Sequence, residues 1–259
     1  MECNKVEILA VKAVSQHYYL LTLMAPRLAR SVRPGQFVQV RVADGLDPLL
    51  RRPFSVHDWD AKQGTVALLV QVRGKGSKML ADKRPGERLD VLGPLGRGFE
   101  ISETKGRALL VGGGIGAAPL WSLARQLKDK TWDLTVLLGA SADSLLVKAV
   151  DFSHLANTII ATDDGSAGIK GKITKLLPLA ASDYNQVYAC GPKPMLAALA
   201  VWTKAAGFPL QVSLDEVMAC GMGVCLGCAQ PVKHNKSVNY AKVCTQGPVF
   251  DADEVVWNE

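Results

Sequence analysis

The chain has no uncharged run long enough to cross a membrane. The longest, Ala108 to Ala124, falls short of a span and is interrupted by Gly112, Gly113, Gly114, Gly116 and Pro119. No transmembrane anchor is predicted. The N-terminus also lacks an apolar core followed by a cleavage site: Glu2, Lys5 and Glu7 lead straight into alternating residues, so no secretory leader is expected. The expected compartment is the cytoplasm, which suits metal-binding thiols better than disulfides. The net charge is +6, but the basic residues are scattered and no aromatic-basic motif accompanies them, which argues against nucleic acid as a partner.

Against these absences stands one dense motif. Cys220, Cys225 and Cys228 follow the order C-x4-C-x2-C, and Cys244 comes later. That is the ligand spacing of a plant-type [2Fe–2S] centre, in which each iron takes two protein sulfurs beside two bridging sulfides. Gly221, Gly223 and Gly227 suit a loop that must curl tightly. Four cysteines can also hold one zinc, but zinc sites usually pair them as two short knuckles and here there is one such pair. Cys3 has no comparable context.

The 259 residues are enough for one large domain or two to three modest ones. In the first third, strand-length runs at Val6 to Val14, Tyr18 to Met24, Gln36 to Val42, Thr65 to Arg73 and Glu87 to Val91 are separated by turn signals, which predicts a small antiparallel barrel. Between two of these runs lies Arg51-Arg52-Pro53-Phe54-Ser55-Val56. It reads either as a phosphate-pairing arginine with a ring-bonding serine, or as an ordinary charged turn entering a strand. Gly74 and Gly76 then expose backbone N–H groups, and Ser77 is expected to cap a short helix from Lys78 to Asp82, forming a pyrophosphate cradle.

From Arg107 the pattern changes to alternating strands and helices, which predicts a parallel α/β sheet. Gly112-Gly113-Gly114-Ile115-Gly116 follows a buried-type strand and precedes an apolar helix, Pro119 to Leu127, as a dinucleotide turn would. The strand Leu134 to Leu138 lacks the acidic residue of the Rossmann fingerprint at its end. Asp163-Asp164 and Cys190-Gly191-Pro192 each follow a strand, where open parallel sheets bind ligands. The competing readings are a solvated turn for the aspartates and simple packing for Cys190.

Arg52-Pro53-Phe54-Ser55 resembles the Arg-x-Tyr/Phe-Ser motif of the flavin domain in the ferredoxin reductase superfamily. Gly93 to Phe99 resembles the turn closing that barrel, and the Gly112 to Gly116 turn resembles the superfamily's nucleotide turn. Ser213 to Gly221 and Val243 to Phe250 closely resemble the cluster region of the electron-transfer subunits of NAD-dependent dihydroorotate dehydrogenases; the Val224 to Gly227 loop is the part that varies. The resemblance spans essentially the whole chain. It implies a flavin barrel over residues 1–102, an NAD-binding α/β domain over 103–211 and a [2Fe–2S] domain over 212–259.

The resemblance also implies roles. Arg52 is expected on an FAD phosphate and Ser55 near the flavin N5. The backbone of Leu69, Val70 and Gln71 would lie beside the ring, with Gly76 and Ser77 at the pyrophosphate. Gly112, Gly113, Gly114, Ile115, Gly116, Asp163, Asp164, Gly191 and Pro192 are expected around NAD, with Cys190 near the nicotinamide. Cys220, Cys225, Cys228 and Cys244 would hold the cluster. Two carboxylates at Asp163 and Asp164 would repel a 2′-phosphate and favour NAD. In the resembled family, dihydroorotate reduces FMN in a separate catalytic subunit, and electrons pass through the cluster and FAD to NAD in pyrimidine biosynthesis. Nothing in this chain looks like the base for dihydroorotate, so the substrate site is expected on that partner, in a heterotetramer with two copies of each subunit. Two alternatives stay open: an NAD(P)H-oxidising relay of another complex, such as a hydrogenase, sulfite reductase or NADH:ferredoxin reductase, and a flavin reductase carrying a zinc-stabilised interaction module.

Overall fold

A computed structural model of the chain describes residues 2–147, 149–180, 183–234 and 237–257. The first hundred residues form a closed antiparallel barrel. Its strands are β1 (Glu2–Ala13), β2 (Tyr18–Met24), β3 (Phe37–Arg41), β4 (Arg52–Asp60), β5 (Thr65–Gln71) and β6 (Arg88–Leu95), in the order β1-β2-β5-β4-β3-β6. Two short helices, α1 (Pro26–Ser31) and α2 (Lys75–Ala81), connect them. Alternation sends Ile8, Leu21, Val38, Val56 and Leu68 into the barrel core, all without solvent exposure. On β3 the residues flanking Val38, Phe37 and Gln39, face outward instead and are buried by what packs there.

The arginine-proline segment is not a turn between strands, as one reading of the sequence had it, but the first half of β4. A proline is tolerated there because pairing is one-sided. Arg52, Pro53, Phe54 and Ser55 pair with β3, whereas pairing between β4 and β5 begins only at Val56↔Leu68. Beyond that point Leu69, Val70 and Gln71 pair with β2 alone. A residue without an N–H costs no ladder bond on such an open edge, and the barrel wall parts between Arg52–Ser55 and Leu69–Gln71. The segment Gly93 to Leu95, read from sequence as part of a closing turn, continues β6.

The second unit is an α/β sheet. Its strands β7 (Arg107–Gly113), β8 (Asp133–Ala140), β9 (Asn157–Thr162), β10 (Ile169–Lys170), β11 (Gln186–Cys190) and β12 (Leu210–Ser213) are parallel. Helices α3 (Ala117–Asp129), α4 (Ala149–Leu155) and α5 (Lys193–Ala206) accompany them. Ala108, Leu109, Leu110 and Val111 are wholly buried, as a central parallel strand covered on both faces must be. After a hairpin of β13 (Ala229–His234) and β14 (Ser237–Lys242), β15 (Val249–Asp251) adds antiparallel to β12, completing the order β10-β9-β8-β7-β11-β12-β15. The cysteine-bearing segment is therefore tied into the sheet. It also meets the barrel, where Arg97 N–H donates to the Gly247 carbonyl at 2.5 Å.

Helix α3 joins barrel to sheet. The Ala118 carbonyl lies 2.8 Å from His57 Nδ1, and Trp121 Nε1 donates to Asp58 at 3.1 Å. Strand order reverses between β7 and β11, the switch point at which open α/β sheets form their ligand crevice.

Candidate functional site

A cavity of about 890 Å³ opens where the parted barrel wall faces that switch point. Pro53, Phe54, Ser55, Leu69 and Gln71 line its barrel side. Gly113, Gly114, Ile115 and Gly116 line the sheet side with Cys190, Gly191 and Pro192, and Asp163 stands at the far end. The structure thus brings most of the residues singled out from sequence around one space large enough for a cofactor.

The remaining ones lie outside that lining. Val70 points into the barrel core. Gly112 is inside β7. Arg52 Nη1 donates to the Leu50 carbonyl at 2.6 Å, and its side chain crosses α2: a Cβ on Gly76 would sit 3.2 Å from Arg52 Nε. Ser77 does not cap a helix starting at Lys78. The helix begins at Lys75 with Gly74 as its N-cap, so Ser77 is its third residue, and its hydroxyl accepts from the N–H groups of Arg73 (2.9 Å) and Gly74 (3.1 Å). The first-turn N–H groups of α2 have no intrahelical acceptor, and the Arg52 guanidinium lies close to them at Gly76.

Three glycines at the end of β7 and in the turn that follows it have different reasons to be glycine. A Cβ on Gly113 would stand 2.8 Å from Pro192 and Met195, and one on Gly116 would meet the Cys190 carbonyl at 2.2 Å. These two let the glycine turn and the Cys190-Gly191-Pro192 turn touch. Gly114, at φ +54°, has nothing within 4 Å of such a Cβ, so its backbone faces open space.

Cys190 is buried, and desolvation pushes its thiol up to about 12, with the charge of Asp215 adding to the effect. It stays a neutral thiol across the physiological range. Asp215 also lines the cavity; burial raises its carboxyl while Arg73 opposes the shift. Ser213 to Asp215, read from sequence as part of the cluster region, join the wall, and Tyr18, Gly139 to Ser141 and Lys172 to Thr174 also line it without having been picked out from sequence as cofactor residues. Their only advance signal is position, since most of them follow the C-terminal ends of strands. Asp163 and Asp164 part company. Asp164 Oδ1 accepts from Ser166 N–H at 2.9 Å and from its hydroxyl at 2.6 Å, which holds the carboxyl below the usual range, whereas Asp163 faces the cavity.

The cysteines stand as two pairs. Cys220 and Cys225 have their sulfurs 3.4 Å apart, and the N–H groups of Met222 and Cys225 each reach Cys220 Sγ at 3.4 Å, favouring its thiolate. Cys244 lies against Cys228. Among the described residues no group of three or more His, Cys, Asp or Glu gathers around a single ion point. Two thiol pairs suit two irons, each taking two thiolates. A further group aims at this loop. Gln39 of β3 has no solvent exposure and neither of its amide atoms has a partner among the described residues, yet it packs on Gly221, where a Cβ would stand 2.7 Å from its Nε2. Leaving a buried polar group unpaired costs about 1–3 kcal/mol, which marks the loop as built to receive something. Val217, Val224 and Leu226 leave an exposed apolar rim around it.

The sequence matches the model of the oxidoreductase FAD-binding domain over residues 5–99 and that of the iron-sulfur cluster binding domain of dihydroorotate dehydrogenase B over 215–256. It is similar to the electron transfer subunit of dihydroorotate dehydrogenase B (NAD(+)) from Geobacillus thermodenitrificans, at 42% identity over 98% of each chain. It is 40% identical to the one from Desulforamulus reducens over 97% of each chain. Among solved structures, that of an NADH-dependent reduced ferredoxin-NADP oxidoreductase studied for flavin-based electron bifurcation superposes with a TM-score of 0.86. The two are 30% identical, covering 97% of this chain and 90% of that one.

Proposed function

Because the chain belongs to the family of electron transfer subunits of dihydroorotate dehydrogenase B, we propose that it passes electrons between a flavin-carrying catalytic subunit and NAD in pyrimidine biosynthesis. The observation that carries this reading is one cavity between the parted barrel wall and the glycine turn, with the cysteine loop seated on the outer face of the neighbouring strand β3. Bound FAD supplies the exchange between two-electron and one-electron transfer that NAD and a [2Fe–2S] cluster otherwise lack.

The residues present fit those groups. Arg52 and the first turn of α2 offer positive charge and N–H donors to a pyrophosphate, and Ser55 offers a hydroxyl at the parted seam. Gly114 leaves room for a nucleotide beside the backbone. Cys190, kept protonated by burial, presents a neutral wall and brings no charge to the nicotinamide side. Asp163 accepts hydrogen bonds from a free ribose hydroxyl and repels a 2′-phosphate. Cys220 with Cys225, and Cys228 with Cys244, would hold the two irons. The exposed rim of Val217, Val224 and Leu226 serves as the seat of the catalytic subunit, which contains FMN in an assembly of two copies of each chain. No helix among the described residues is long and apolar enough to cross a membrane, and paired free thiols suit a reducing cytoplasm.

A second reading, a relay in an NADH-dependent ferredoxin-linked complex, is favoured by the superposition at 30% identity. The test is reconstitution. Protein purified without oxygen should contain iron, sulfide and FAD and reduce dyes with NADH, and dihydroorotate-dependent NAD reduction should appear only when the catalytic subunit is added. Ferredoxin-linked activity without any response to that subunit selects the second reading.

A further inference from the structure

The geometry points to Gln39 as a positioning residue of the barrel that donates a hydrogen bond from its Nε2 to sulfur at the cluster site and thereby sets the cluster's reduction potential. This rests on the assignment of the [2Fe–2S] centre to the cysteine loop, and it adds a residue from outside that loop.

Three observations carry it. The first is direction: alternation on β3 sends Val38 into the barrel and Gln39 out of it, on the face where Phe37 packs in one core with Met218, Cys228 and Cys244. The second is chemistry, because a strand position buried in an apolar cluster has no use for a carboxamide unless something bonds it, and both amide atoms are without a partner among the described residues. The third is fit. The side chain lies on Gly221, next to Cys220, with Cγ 2.6 Å and Nε2 2.7 Å from where a Cβ at 221 would stand. Only glycine lets the amide approach the loop this closely, and φ +68° there independently favours glycine.

Cluster potentials respond to hydrogen bonds at the sulfurs. Reduction adds negative charge to sulfur, so a donor stabilises the reduced form and raises the potential. Gln39 also pairs across the ladder with Pro53 of the parted seam. The same short strand thus bears on both the cofactor cavity and the cysteine loop, and a change at its outward face reports on the cluster without entering the cavity.

The experiment is a redox titration of holo-protein, following the cluster by EPR and the flavin by absorbance, in Gln39→Leu and Gln39→Glu. The first removes donor and acceptor, while the second keeps shape and acceptor but replaces the donor. Both should retain iron and sulfide and show a more negative cluster midpoint with altered g-values, further negative in Gln39→Glu, while the flavin midpoint stays in place. An unmoved cluster midpoint in either loaded variant overturns the inference, as does an equal shift of both centres. If both variants shed the cluster, unvaried protein with 15N in its glutamine amides decides by pulsed EPR of the reduced cluster. A 15N coupling that persists in both Gln246→Glu and Gln230→Glu supports Gln39, and its absence refutes it. Absence of iron and sulfide from the unvaried protein would sink the cluster assignment itself, which is a separate result.

Discussion

Gly116 and Cys190 are in van der Waals contact across the switch point of the sheet: a Cβ at position 116 would stand 2.2 Å from the Cys190 carbonyl oxygen. Two turns that follow different strands are thereby locked to each other, so the floor of the crevice at the switch point is one piece. Neither turn has room to relax, because Gly113 is pressed against Pro192 and Met195 in the same way.

Gly116→Ala is therefore expected to force the two turns apart. Overpacking of this kind costs about 1–3 kcal/mol, and thermal unfolding should register that loss. NADH should bind more weakly while FAD content is unchanged, since the barrel side is untouched. An unchanged KM for NADH in NADH–dye assays would detach the contact from nucleotide binding.

Much of this architecture was legible in the sequence because its signals are local. Alternation announced most barrel strands, glycine runs marked the turns, and cysteine spacing marked the loop. β4 was hidden, since a proline ordinarily demotes a strand and only its one-sided pairing with β3 explains Pro53. Gln39 was invisible for a different reason. An isolated glutamine in a strand reads as a solvent-facing residue until the fold places Gly221 on top of it. The packing glycines and the glycine of the Gly112 to Gly116 stretch that faces open space also look alike in sequence, and only the third dimension separates them.

Arg52→Ala should weaken FAD retention by roughly ten- to a hundredfold, since a charge-assisted hydrogen bond contributes on the order of 1.5–3 kcal/mol. The guanidinium lies over Gly76 rather than in the cavity, so the predicted defect is in flavin binding and not in the choice of nucleotide. Equilibrium dialysis of FAD against apo-protein measures it, and unchanged affinity would remove Arg52 from the pyrophosphate site.

Asp163→Ser should relax the preference for NADH over NADPH, by roughly tenfold for each 1.4 kcal/mol of repulsion removed. Asp164→Ala should leave that preference alone, because its carboxylate is spent on Ser166. The lowered Asp164 pKa gives it a pH signature instead. Its stabilising contribution is present above the ordinary carboxylate value and is lost as pH falls through the lower folded value. The alanine variant should accordingly be less stable at neutral pH and converge with the parent in acid. Ratios of kcat/KM for the two nucleotides and acid unfolding curves check both halves.

Replacing Cys220, Cys225, Cys228 or Cys244 with serine separates the two ends of the relay. The thiols form pairs, so losing one leaves an iron with a single protein thiolate beside its bridging sulfides, and the cluster should be shed or bleached, removing its visible absorbance. Cys190→Ser should keep that absorbance, because Cys190 lines the nucleotide cavity and not the loop. The NADH–dye reaction needs only the barrel and sheet, neither of which holds the loop's cysteines, so it should largely survive in all four variants. Dihydroorotate-dependent NAD reduction with the catalytic subunit present should vanish in each. Stoichiometric zinc instead of iron in protein purified without oxygen would overturn the ligand assignment. Equal loss of both activities would show that the loop holds the fold together, a real alternative because β15 ties this segment into the sheet beside β12.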